Sequence, residues 1–201
     1  MRGREKSRGF SMLELVVVVS ISLIVTAMAL MSFLPGSKYS QAEGALQTTL
    51  GQVRRVHELA IDQRTVYRLS FISPSTLQTD LVTVSGGVQS FTLVSSITLP
   101  RPIQFYADSS LPLPPNTPDG MGNGTRAIDF DVDYGGSGTQ VFFQPNGSAL
   151  DSSNRPCNGI VYLGRSGDLL SSRAVSLWSA TGKAKGWRLV TSGASTRWSQ
   201  L

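Results

Sequence analysis

Gly9-Phe10-Ser11-Met12-Leu13-Glu14 opens an apolar run that continues to Leu34. Ahead of it lie Arg2, Arg4, Lys6 and Arg8 against a single Glu5. From Leu15 to Leu34 no side chain is charged, so Glu14 is the one carboxylate at the mouth of the run. About 20 apolar residues suffice to cross the hydrocarbon core of a bilayer as a helix. The basic leader favours an amino end held on the cytoplasmic side. An ionised group within such a segment costs about 2.5–3.5 kcal/mol by insertion scales and so calls for a partner. An ordinary cleaved signal accounts poorly for Glu14, and no convincing small-residue cleavage site follows a short apolar core.

Outward from this run, β-branched residues are dense at Val16 to Val19, Ile21, Ile24 and Val25. In water they would favour a strand, but length and the lack of alternation favour a membrane helix. Ser20, Ser22, Thr26, Ala27 and Ala29 are small enough for neighbouring helices to approach closely. Pro35-Gly36 removes a backbone donor and frees the chain, which predicts a kink or a melted turn. Beyond it Ala42, Leu46, Leu50, Val53, Val56 and Ala60 recur at helical spacing and form one apolar stripe. Gln41, Gln47, Gln52, Arg55 and Asp62 fall mostly off that stripe, and the helix is expected to end near Gln63.

From Thr65 the period becomes two: Tyr67, Leu69 and Phe71 alternate with Arg68 and Ser70. Strands are expected at 77–84 and 88–95, joined through Gly86-Gly87. Pro100 and Pro102 demote 97–106 to an edge or irregular strand. Asp108 to Thr125 holds four Pro and three Gly and reads as a long loop. A second hairpin is expected between 126–133 and 139–144, across Gly135-Gly136-Ser137-Gly138, with further strands at 159–164, 174–179 and 185–190. The expected class is α+β: a long amino-terminal helix, membrane-spanning in its first half, and an antiparallel β-rich head. The expected divisions are a leader at 1–9, a span at 10–34, an amphipathic continuation at 35–64 and a head at 65–201.

Basic leader, Gly9, Phe10, Glu14 and apolar helix, all in register, resemble the prepilin signal of type IV pilins and type II secretion pseudopilins. That resemblance implies cleavage between Gly9 and Phe10 by a prepilin peptidase, methylation of the new amino-terminal Phe10, and a role for Glu14 in subunit assembly. It further implies a single-pass protein of the bacterial inner membrane with its head in the periplasm, and other pilin or pseudopilin subunits as partners. Val141-Phe142-Phe143-Gln144-Pro145-Asn146-Gly147-Ser148, Gly159 to Leu163, and Thr181-Gly182-Lys183 before a final strand resemble the carboxy-terminal half of the GspH/FimT group. The implied function is that of a minor pseudopilin in a type II secretion system, a structural component of protein export. The alternative is a FimT-like minor pilin that primes a type IV pilus or takes up DNA.

The remaining residues narrow the chemistry. Net charge is +5, of which the leader supplies +3 through four cations and one anion, so the processed chain carries only about +2. Cys157 and His57 are the sole residues of their kinds. Their counts exclude an intramolecular disulfide and any Cys/His-clustered zinc site. Cys157 reads as a buried thiol, and His57 lies in a helical stretch beside Arg54 and Arg55. Asp129, Asp131 and Asp133 alternate on one strand face, where clustered oxygens could hold calcium, although no EF-hand spacing is present. Lys183, Lys185 and Arg188, interleaved with Trp187, could contact DNA. Gly182-Lys183-Ala184-Lys185 has Lys where the DNA-uptake element has Arg, which keeps charge but loses the bidentate fork. No P-loop or dinucleotide fingerprint occurs, and no enzyme or cofactor is expected.

Overall fold

The computed structural model describes residues 11–130, 138–193 and 195–201, with the backbone alone for 30–38. The leader, Gly9, Phe10, Asp131 and Asp133 therefore lie outside the described residues. The chain divides into two compact units, Met1–Lys38 and Tyr39–Leu201. Helix α1 is assigned over Met12–Asp62. The backbone is helical across Pro35-Gly36, so the melted turn expected there is absent.

In the second unit α1 lies between two antiparallel sheets. One has strand order β3-β2-β1-β6-β7, built from β1 (Val66–Ile72), β2 (Thr76–Ser85), β3 (Val88–Thr98), β6 (Gln140–Phe143) and β7 (Ala149–Leu150). The other has order β11-β10-β9-β8-β4, with β5 also paired to β8. Its strands are β4 (Gln104–Phe105), β5 (Ile128–Asp129), β8 (Gly159–Arg165), β9 (Asp168–Trp178), β10 (Lys183–Ser192) and β11 (Ser195–Gln200).

All six residues of the expected stripe on α1 are buried, together with Ala45. Leu46 and Leu50 lie over Gly186 of β10. About half a turn past Leu50, Gln52 donates to Thr79 Oγ1 of β2 at 2.8 Å and to Ser95 Oγ of β3 at 3.1 Å. Gln52 was expected off the stripe, yet it is buried. Its amide is tolerated there because both strands offer hydroxyl acceptors. Tyr67, Leu69, Phe71, Val141 and Phe143 from one sheet and Val161, Leu163, Val175 and Leu177 from the other complete this core. By strand alternation, the same faces carry Ala184, Gly186 and Arg188 on β10.

The hairpin expected from 126–144 is corrected by the pairing. β5 joins β8, in register Ile128↔Val161, whereas β6 joins β1, in register Arg68↔Phe142. Gly159 makes the first pairing fit: a Cβ there would stand 2.6 Å from the Asp129 carbonyl oxygen and strike the Phe130 backbone. The Pro-rich stretch after β3 turns the chain out of the first sheet and into the edge strand β4 of the second. The loop that follows, residues 106–127, is an ordered strap over the outer face of the six-stranded sheet. Its Leu111 and Met121 pack with Ile160, Tyr162, Ala174 and Leu189 as a second core.

Candidate functional site

The described side chains of the first unit belong to an exposed, largely apolar helical segment. Met12–Ala29 has a mean hydropathy of 2.4 and is 0 % buried. Water would penalise that surface; lipid would not. The polar hydroxyls on it are satisfied within the helix: Ser20 donates to the Val16 carbonyl at 2.7 Å, Ser22 to Val18 at 2.8 Å and Thr26 to Ser22 at 2.7 Å. Such back-bonding removes the cost of carrying hydroxyls in hydrocarbon. Glu14 stands in the first turn of α1, exposed and without a hydrogen bond or ion pair among the described residues.

The carboxy-terminal basic residues do not converge. Lys183 and Lys185 share one face of β10 with Trp187, whereas Arg188 belongs to the opposite, helix-facing side. Lys185 is held by the strap: its Nζ lies 2.7 Å from Asp119 Oδ1. The other oxygen of Asp119 accepts from Ser176 Oγ at 2.6 Å and Trp178 Nε1 at 3.1 Å. Trp187 Nε1 in turn donates to Ser176 Oγ at 2.9 Å. Burial alone would raise the Asp119 carboxyl. The bonds from Lys185, Ser176 and Trp178 and the Lys185 charge outweigh it and hold the group below its ordinary value.

Because the folded-state value is depressed, this latch contributes fully above the ordinary Asp value and is lost as pH falls through the folded one. Asp119→Ala is expected to cost about 2–4 kcal/mol, since it strands a half-buried ammonium and a buried hydroxyl. Thermal melts near neutral pH check this. The gap between wild type and variant should narrow in strong acid, where the native carboxyl is protonated too.

His57 and Arg173 were not legible as structural anchors. His57 Nε2 donates to the Gly147 carbonyl at 3.0 Å, and its ring meets Phe143 edge-on. The Pro145-Asn146-Gly147 turn of one sheet and the Thr181-Gly182 turn of the other thus close on one helical side chain. Arg173, facing α1 from β9, is almost completely buried. Its guanidinium donates to the carbonyls of Leu170 and Ser172 and lies 3.4 Å from Glu43 on α1. Burial lowers its pKa, and the Glu43 charge works against that shift. A cation flanked by apolar strand residues gives no period that would reveal such a partner.

Among the described residues no group of three or more His, Cys, Asp or Glu could hold a metal ion. Burial, with a smaller push from the charge of the buried Asp129 on β5, drives the Tyr162 phenol well up. Cys157 is a buried free thiol.

Residues 4–30 match the family described as the prokaryotic N-terminal methylation motif. No curated protein and no solved structure matches the chain. The matched segment spans Gly9, Phe10 and Glu14 and runs to the end of the exposed apolar helix. It marks the amino terminus as a type IV pilin-like prepilin signal, one that fits processing by a prepilin peptidase, a single-pass inner-membrane anchor and assembly with other pilin subunits.

Proposed function

We propose that this chain is a minor pseudopilin of a type II secretion system, a non-enzymatic structural subunit whose head lies in the periplasm. The observation that carries the reading is the methylation motif at residues 4–30, continuous with an apolar helix that buries nothing in its own chain. Such a surface needs lipid or the helices of sister subunits. The GspH/FimT likeness is supported by the meeting of its two turn motifs, 145–147 and 181–182, at His57. Secretion is favoured over DNA uptake by the fate of the basic residues. Lys185 is neutralised by Asp119, and Arg188 belongs to the other face of β10. A DNA-gripping element would present its cations together.

The processed protein is expected to start at Phe10 and to be heavier by one methyl group, read by intact-mass analysis of membrane extracts. Gly9→Val should leave the leader attached, because a small residue is needed beside the scissile bond. A mature start elsewhere overturns the assignment. Deleting the gene separates the two filament roles: exported protein should accumulate in the periplasm, with pilus-driven motility and DNA uptake unchanged. The reverse pattern would favour the FimT-like alternative.

A further inference from the structure

The head carries an open cleft of about 440 Å³ between the strap and the β10–β11 hairpin. Its size falls among those of small-molecule sites. Trp187 and Trp198 line it, with Asn116 and Thr117 from the strap and Thr196 and Arg197 from β11.

Three observations point to a ligand. The walls are held in place before anything binds. Trp187 is fixed through Ser176 to Asp119, and Asp119 pins the strap two residues after Thr117. Trp198 packs on Tyr162 with ring centroids 5.7 Å apart. Binding groups held by such supports keep their geometry. Next, Trp198 Nε1 and Thr117 Oγ1 are buried and have no partner among the described residues. The other two indoles, of Trp178 and Trp187, both have one. An unmade hydrogen bond at a buried polar atom costs about 1–3 kcal/mol. Both belong to residues that line the cleft, so its wall holds an indole and a hydroxyl with no bond made inside the chain. Finally, the lining has no carboxylate, several hydroxyls and an amide, and its one cation, Arg197, pairs with Val190 on the face of the hairpin away from Trp187 and Trp198.

We propose that this cleft binds a saccharide unit. A pyranose offers a flat C–H face to an indole ring and hydroxyls around its rim, and that combination suits aromatic walls edged by Asn116, Thr117 and Thr196. A nucleic-acid strand could stack on the same rings. It brings a phosphate with every base, though, and only one unpaired cation lines the cleft.

The test is a titration of tryptophan emission with the full chain in nanodiscs, because many detergents carry sugar headgroups. The probes are a tetrasaccharide of N-acetylglucosamine, a tetrasaccharide of galacturonic acid and oligothymidylate. One saccharide should give a saturable change with a Kd at or below about 1 mM. Trp198→Ala and Asn116→Ala should each weaken it roughly tenfold or more. Asn116 is exposed, so its variant keeps the wild-type circular dichroism and separates binding from folding. The proposal is overturned if neither saccharide gives a saturable signal, if oligothymidylate alone does, or if Asn116→Ala binds as wild type.

Discussion

Glu14→Leu is expected to be cleaved, to enter the membrane as well as the wild type, and to be lost from the assembled filament. The helix it belongs to is otherwise apolar over Met12–Ala29 apart from a few hydroxyls, and removing a charge makes it more so. Insertion therefore does not suffer. What disappears is an exposed carboxylate in the first turn of α1. The proposed cleavage between Gly9 and Phe10 would create a positive amine one helical turn away in sequence. In a medium of low dielectric, opposite charges attract strongly while an unpaired one is penalised heavily. If the Glu14 of an incoming subunit meets the amine of a neighbour, the pair neutralises both and sets the axial register. Losing one partner of a buried ion pair costs about 3–5 kcal/mol, enough to cut assembly more than a hundredfold. Disulfide crosslinking between introduced helix cysteines reads this directly. Normal cleavage with crosslinks all but gone is the expected outcome. Normal crosslink yield would mean that Glu14 serves only recognition by the peptidase.

The second large effect is expected at Gly182. Its φ of +61° is costly for any residue with a Cβ, and a Cβ there would stand 2.5 Å from the Gly147 carbonyl oxygen and against the His57 ring. Gly182→Ala should destabilise the head by about 2–5 kcal/mol, combining left-handed backbone strain with overpacking. In thermal melts that is a fall in Tm of roughly 5–15 °C. Gly167→Ala is the matched control: its φ is +78°, but nothing lies within 4 Å of the added carbon. It should show the backbone strain alone, about 1–2 kcal/mol. Adding His57→Ala to Gly182→Ala should recover part of the loss, because the ring is one of the two obstacles. Equal melting of the two glycine variants would mean that the three-way contact does not carry load.

Much of this architecture could be read from period and punctuation. The stripe from Ala42 to Ala60 and the alternation from Tyr67 each bury one continuous face, and a face leaves a periodic trace in sequence, while the apolar run is legible from its length alone. The failures share a physical cause. Gln52 looked polar and solvated because its acceptors, Thr79 and Ser95, come from strands far along the chain. The expected hairpin between 126 and 144 followed proximity in sequence, yet its two halves pair with different sheets. β7 and β11 were missed because both are short and β11 is almost wholly polar. The cleft is likewise assembled from segments around 112–117, 187 and 195–198. The basic end was visible as charge, but that Asp119 would claim Lys185 was not.

The pairing of β1 with β6 bears on when this head can form. β1 is flanked by β2, its neighbour in sequence, and by β6, whose Phe142 meets Arg68. Until β6 is available, one edge of β1 has no strand to bond. The His57 contact to Gly147 closes over 90 residues, and Gly182 comes later still. Loops of that span slow folding through the entropy of closing them. A chain whose amino end stays on the cytoplasmic side while the rest crosses would have its α1 stripe exposed while most of the head is still to emerge. Folding of the head is therefore a late event in the life of the nascent subunit. The helix waits as an apolar ribbon, and the last hairpins to arrive are the ones that cover it.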